Sequence, residues 1–165
     1  MEKNINIEVF QATRNDLETV TDLFDKYRVF YKQPSNVEQS RDFLKERFEK
    51  EDSVIFIAVF KDENGKHAGA GFVQLYPSFS SVSMQRLWIL NDLYVDSKYR
   101  KNGVAKALME KAKDYSVKTK AKELVLQTAI NNYPAQSLYE SIGYKKTEDV
   151  YEYTFSLKQE YSQNK

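Results

Sequence analysis

A chain of 165 residues in which 25 basic side chains nearly balance 24 acidic ones, for a net charge of +1, has the size of one compact domain and lacks the long-range positive field of a nucleic-acid binder. Its 41% hydrophobic content, with 12 Tyr and 10 Phe, excludes intrinsic disorder despite 30% charged residues. With no Cys and a single histidine, His67, disulfides, thiolate or multi-histidine metal sites and a Cys-linked acyl-enzyme are excluded.

The N-terminus, Met1 to Val9, mixes Glu2 and Lys3 with isolated apolar residues, and no apolar run approaches the length of a membrane span. A soluble, uncleaved chain of a reducing cytoplasm is expected, with no membrane partner. Asn6 to Gln11 alternates as a strand does. The cap-forming Thr13-Arg14-Asn15-Asp16 then precedes Leu17, Val20, Leu23, Phe24 and Tyr27 at helical spacing. Pro34-Ser35-Asn36 breaks the run, and Val37 to Lys50 reads as a charged second helix. Ser53 to Phe60, the Asp62-Glu63-Asn64-Gly65 turn and His67 to Tyr76 read as a hairpin, with His67 a strand-end residue.

Pro77 to Ser81 reads as a loop, and Met84 to Val95 as a strand whose Asn91-Asp92 is out of keeping with its apolar neighbours. Val104, Leu108, Ala112 and Tyr115 mark one face of a long helix over 104–120. Glu123 to Ala129 reads as a strand, Pro134 to Ile142 as a short helix closed by Gly143, and Tyr144 to Leu157 as a final antiparallel pair of strands before a frayed tail. Strands at 84–95 and 123–129 joined by one helix form a β-α-β unit and should lie parallel, while the hairpins add antiparallel neighbours. The expected class is α+β, a mixed, mainly antiparallel sheet flanked by helices in one domain over 1–165.

Two segments carry chemistry. Arg100-Lys101-Asn102-Gly103-Val104-Ala105 joins a strand to the long helix, where unpaired N–H groups and the positive helix end face outward. Gly103 removes a Cβ from the ligand side, Ala105 keeps the first turn slim, and Arg100, Lys101 and Lys106 add charge suited to a diphosphate. The spacing fits neither the dinucleotide glycine turn nor a nucleotide triphosphate loop. The second segment runs from Asn132 to Tyr144, with Ala135, Leu138, Tyr139 and Ile142 on one helical face.

Together Arg100-x-x-Gly103-x-Ala105 and Asn132-x-x-Ala135-x-x-Leu138-Tyr139-x-x-x-Gly143-Tyr144 resemble the GNAT superfamily of N-acetyltransferases, and the element order fits that fold from Ile5 to Leu157. Phe72 to Tyr76, Ser80 and Asn91 to Val95 are similar to polyamine and small-amine acetyltransferases, although those relatives commonly place two acidic residues where this chain has Asn91-Asp92. The resemblance implies acetyl-CoA as co-substrate, no metal, and splayed parallel strands that leave a slot for the pantetheine arm. It implies cofactor contacts from Leu93, Tyr94, Val95, Arg100, Lys101, Asn102, Gly103, Val104, Ala105, Lys106, Asn132 and Tyr139. Asn132 is also a routine helix cap. It places Asp92 beside the thioester, either anchoring the ammonium or passing its proton through water, and Tyr139 as general acid toward the leaving sulfur. Backbone N–H groups of Leu93 to Val95 are suited to the developing oxyanion.

The acceptor site is expected at Asp92, Asn91 and Tyr31, with Phe30 and Phe79 as walls. Zero Cys favours direct attack in a ternary complex. The expected function is transfer of an acetyl group to a primary amine of a small molecule. A protein or peptide N-acetyltransferase, or a non-catalytic CoA-binding sensor, is the alternative. Lysines 111, 113, 118, 120 and 122 are interleaved with acids, which argues against a nucleic-acid partner. The terminal strands are able to pair between subunits, which allows a homodimer.

Overall fold

In a computed structural model the described residues are 6–157, and the chain divides into two compact units, 1–129 and 130–165. The expected tail after Lys158 lies outside the described residues.

The first unit is a five-stranded sheet in the order β1 (Asn6–Gln11), β2 (Val54–Lys61), β3 (His67–Ser80), β4 (Gln85–Val95), β5 (Glu123–Val125). All neighbours are antiparallel except β4 and β5, which run parallel across the helical crossover α3 (Val104–Lys118). Helices α1 (Leu17–Phe30) and α2 (Val37–Lys50) separate β1 from β2. The Thr13 capping box starts the first helical segment, and Asn36 caps α2. Buried Asp25 ties the α1–α2 connection together: it accepts from the Ser35 hydroxyl at 2.6 Å and from the Asn36 N–H at 2.7 Å.

The core lies on both faces of the sheet. Val20, Leu23 and Leu44 from the helices pack on Ile55, Ile57, Val59 and Phe72. On the other face α3 brings its buried Val104 and Leu108 over Gly71. A Cβ on Gly71 would meet the Tyr94 carbonyl oxygen at 2.5 Å, Leu108 Cδ1 at 3.2 Å and Val104 Cγ1 at 3.3 Å, so only glycine lets α3 seat this deeply. Trp88 and Phe56 extend this layer through Tyr115, and the indole N–H of Trp88 donates to the Thr119 hydroxyl at 2.9 Å.

Three sequence expectations are corrected. Residues 77–80 are not a loop but the end of β3, paired with β4 from Pro77↔Trp88 to Ser80↔Gln85. By the alternation of an antiparallel ladder, the Pro77 nitrogen faces the β2 edge beyond Val54, where no β2–β3 bond is lost. The last parallel strand spans Glu123–Val125 rather than 123–129, because its ladder with β4 ends at Ile89↔Val125, just before a bulge in β4. Residues 144–157 are not among the strands of the sheet. Alternation at Tyr151, Tyr153 and Phe155 specifies faces, but it cannot supply a ladder partner.

In the second unit α4 (Tyr133–Ile142) starts at Asn132, whose Oδ1 accepts from the Ala135 N–H at 3.4 Å, and ends at Gly143 with φ 111°. That left-handed cap is a position only glycine fills without strain.

Candidate active site

The β3–β4 ladder places Gln74 opposite Asp92, and Leu75 opposite Leu90, so Asn91 is the extra residue of a bulge. This explains the two polar residues in an apolar strand. Asn91 faces outward, exposed, while Asp92 is re-aimed inward and is only 4% exposed. Across the ladder, Phe72, Gln74, Asp92 and Tyr94 share one face, the one that α1 covers.

Asp92 accepts from Gln74 Nε2 at 2.7 Å on one oxygen and from Asn91 Nδ2 at 3.0 Å on the other. Among the described residues no Lys or Arg forms an ion pair with it. Among the described residues, a structural pairing with a core cation is therefore not what this carboxylate makes. Two phenols stand near it. Burial, and then the Asp92 charge, holds the Tyr27 hydroxyl well above the ordinary phenol range. The same two causes push Tyr76 up to about 12. Both remain neutral donors at physiological pH.

Rings crowd the same side. Tyr27 lies edge-on to Tyr31 at 4.9 Å, to Phe72 at 5.7 Å and to Tyr94 at 6.3 Å, and Phe30 sits 5.3 Å from Tyr31. Phe30 and Tyr31, at the end of α1, stay about half exposed. Tyr27 and Tyr94 thus share one aromatic cluster with Phe30 and Tyr31. Phe79 is not part of it. It pairs with Arg86, five residues along β3 from Gln74, or about 16 Å on an extended strand, and the Arg86 guanidinium stands 5.0 Å above its ring.

Beyond Ile89 the parallel ladder stops, which opens the outer edge of β4. The Asp96 N–H donates to the Ala70 carbonyl at 2.9 Å, so by alternation Tyr94 turns its N–H to β3 while Leu93 and Val95 turn theirs to the open edge. Of the backbone donors expected over Leu93 to Val95, Tyr94 is therefore occupied by the sheet.

The turn into α3 combines two left-handed residues, Lys101 at φ 63° and Gly103 at φ 75°. Gly103 is the N-cap and supplies no side-chain cap, and the first helical bond runs from the Ala107 N–H to the Gly103 carbonyl at 3.0 Å. The Val104, Ala105 and Lys106 N–H groups thus precede the helical ladder and point out of its positive end. Lys101 and Lys106 are exposed beside them, Val104 is buried beneath, and Asn102 closes the turn by donating to the Tyr99 and Arg100 carbonyls at 3.1 and 3.0 Å. Arg100 folds back instead. Its Nε donates to the Val95 carbonyl at 3.1 Å, and its guanidinium lies 5.3 Å over Phe30 and 5.9 Å over Tyr94. Behind the turn, Lys26 Nζ donates to buried Asp96 at 3.0 Å. Hydrogen bonds donated to Asp22 and then to Asp96 hold the Lys26 ammonium above its ordinary range.

In the second unit Tyr139 is half-buried on α4, its ring 6.1 Å from that of Tyr144. Sequence reasoning missed Gln74, Tyr27 and Tyr76. For Gln74 and Tyr76 the signal was the resembling segment Phe72 to Tyr76 with its lone amide in an apolar run, and Tyr27 carried none.

No group of His, Cys, Asp and Glu able to hold a metal occurs among the described residues, nor is any helix there long and apolar enough to cross a membrane. The family model described as the acetyltransferase (GNAT) family matches residues 17–144. The uncharacterized N-acetyltransferase YhfO of Bacillus subtilis is 43% identical over 151 residues, 92% of this chain and 98% of that protein. A crystal structure of a probable acetyltransferase superposes with a TM-score of 0.84 at 41% identity, covering 93% of this chain and 99% of the other. The fold is shared more distantly, at 18% identity and a TM-score of 0.74 over 95% and 99% of the two chains, by an aminoglycoside N-acetyltransferase in complex with CoA. The chain belongs to the GNAT family and is an acetyltransferase.

Proposed function

We propose that this GNAT-family chain acts as one domain over 1–165 and transfers an acetyl group from acetyl-CoA to a primary amine of a small molecule, by direct attack in a ternary complex. The observation that carries the reading is Asp92, a buried carboxylate with no cationic partner among the described residues, on the aromatic-walled face of β4. Such a group is costly to bury unless a cation is to meet it, and ring faces favour an ammonium.

The turn at 100–106 fits a diphosphate. Outward N–H groups, two left-handed residues and exposed Lys101 and Lys106 form an anion cradle. Acetyl-CoA, when bound, supplies an acetyl thioester. The Leu93 and Val95 N–H groups, on the open edge of β4, donate to its carbonyl oxygen. Asp92 anchors the ammonium and takes its proton directly or through water. An amine with a pKa of about 10.4 is neutral in roughly one molecule in 2,500 at pH 7. Tyr139 protonates or hydrogen-bonds the leaving sulfur, and Asn132 holds the pantetheine arm in addition to capping α4. Asn91 and Tyr31 border the acceptor. The neutral Asn91 leaves one negative charge, which suits a monoamine better than a polyamine. A cytoplasmic location and a homodimer belong to the same proposal.

A thiol-release screen with acetyl-CoA, comparing small primary amines with peptides bearing free N-termini or lysines, tests it. Turnover of small amines well above that of peptides is expected. Turnover of peptides alone, or no thiol release with any acceptor, contradicts it.

A further inference from the structure

We propose that Gln74 is a specificity-determining residue: its amide oxygen, together with Asp92, takes two N–H bonds of the acceptor and so selects primary amines over their N-alkylated forms. The proposal rests on the reading of Asp92 as the carboxylate that meets the amine.

Gln74 is wholly buried between Val73 and Leu75 and lies directly opposite Asp92. A carboxylate only accepts, so the 2.7 Å contact with Asp92 fixes the amide nitrogen toward it and turns Oε1 away. That oxygen is buried and has no hydrogen-bond partner among the described residues. Interiors rarely leave an acceptor unmet, and a core that only needed filling here would be served by Leu or Met. The orphaned oxygen lies on the face shared by Phe72, Tyr27 and Tyr94, whose rings favour a cation.

The proton balance follows from this pairing. A primary ammonium gives one N–H to Asp92 and a second to Gln74 Oε1. When Asp92 takes its proton, the N–H bond breaks, an O–H bond forms on the carboxylate, and the electron pair stays on nitrogen. The neutral amine still holds Gln74 through a remaining N–H, with its lone pair free for attack and one N–H to spare. On attack the N–C bond forms and the C–S bond breaks, the spare N–H proton leaves nitrogen as the thiolate gains one to become the CoA thiol, and the amide N–H still meets Oε1. A secondary amine must instead give up the one N–H that Oε1 holds, and its extra alkyl group competes for that position.

The test compares 2-phenylethylamine, tyramine and pentylamine with their N-methyl derivatives by thiol release, in the wild type and in Gln74→Met, Gln74→Glu and Asp92→Asn. For the best primary amine, Gln74→Met should lower the primary-over-secondary ratio of kcat/KM by about tenfold or more, the worth of one hydrogen bond to a charged group. Gln74→Glu keeps an acceptor oxygen and, sharing a proton with Asp92, should retain that ratio while shifting the pH profile. A Gln74→Met variant that slows both amines equally would show that Gln74 only positions Asp92, and would overturn the proposal alone. Near-normal kcat/KM in Asp92→Asn, or no turnover of any amine by the wild type, would instead overturn the reading beneath it. Thermal unfolding of each variant separates these results from failure to fold, and if Gln74→Met does not fold, a changed ratio in Gln74→Glu counts against the proposal.

Discussion

Replacing Asp92 by Asn should separate function from stability. The substitution keeps the shape of a side chain that is 4% exposed and leaves Gln74 Nε2 an acceptor at 2.7 Å, while removing a buried charge that no cation offsets among the described residues. The bond from Gln74 Nε2 becomes a neutral one, and the new amide nitrogen, which cannot accept, keeps a bond to Asn91 only when the exposed Asn91 amide turns its oxygen toward it, a loss of about 1 to 2 kcal/mol at each position. Relief of the desolvation of a buried carboxylate is worth several kcal/mol, so the unfolding free energy should hold or rise. Activity should fall. At pH 7 an amine with a pKa of about 10.4 carries a handicap of roughly 4.6 kcal/mol before it can attack. Losing the group that accepts its proton should lower kcat/KM by about 10² to 10⁴. The variant would then use only amine that is already neutral, so its kcat/KM should climb about tenfold per pH unit from 6 to 9. Thiol release across that range, with thermal unfolding of the same samples, measures both quantities. Loss of activity in step with a lowered Tm, or near-normal activity with an unchanged pH profile, would refute the reasoning.

Gly71→Ala places a Cβ 2.5 Å from a backbone oxygen and against two side chains of α3. It should cost about 1 to 3 kcal/mol in chemical denaturation and weaken CoA binding, because the helix must lift off β3. Tyr139→Phe should lower kcat by about 10²-fold in thiol release while leaving the calorimetric affinity for CoA unchanged. In acid, Asp25 and Asp96 should govern stability. Burial raises the pKa of each, but the Ser35 and Asn36 donors at Asp25, and the Lys98 N–H and Lys26 ammonium at Asp96, outweigh it and leave both below the ordinary range. Their contribution is complete above about pH 4 and is lost as the pH falls through the lowered folded values. Denaturation curves from pH 6 to 2.5 should therefore be flatter for Asp25→Asn and Asp96→Asn than for the wild type.

Helices were legible because a period of 3.6 shows in a single segment. Val104, Leu108, Ala112 and Tyr115 mark the buried face of α3 without knowledge of what lies beneath. The anion turn was legible because Gly103 and its flanking cations are contiguous. Register was not legible. That Gln74 meets Asp92 depends on a one-residue bulge at Asn91, and a bulge is decided by the pairing of two strands rather than by either alone. The same cause misled the reading of 77–81, where Pro and Ser signal a turn although Pro77 loses no ladder bond on its free side. Tyr27 looked like an ordinary core position on α1, and only the fold brings it to Asp92.

Calorimetric titration of CoA and of pantetheine, which lacks the diphosphate, into the wild type and a Gly103→Val variant tests the anion turn most directly. CoA should bind the wild type about a hundredfold more tightly than pantetheine, and Gly103→Val, which denies the turn its φ of 75°, should erase most of that difference while pantetheine binding persists. Equal affinities in the wild type, or an undiminished preference for CoA in the variant, would contradict the assignment of 100–106 as the diphosphate cradle.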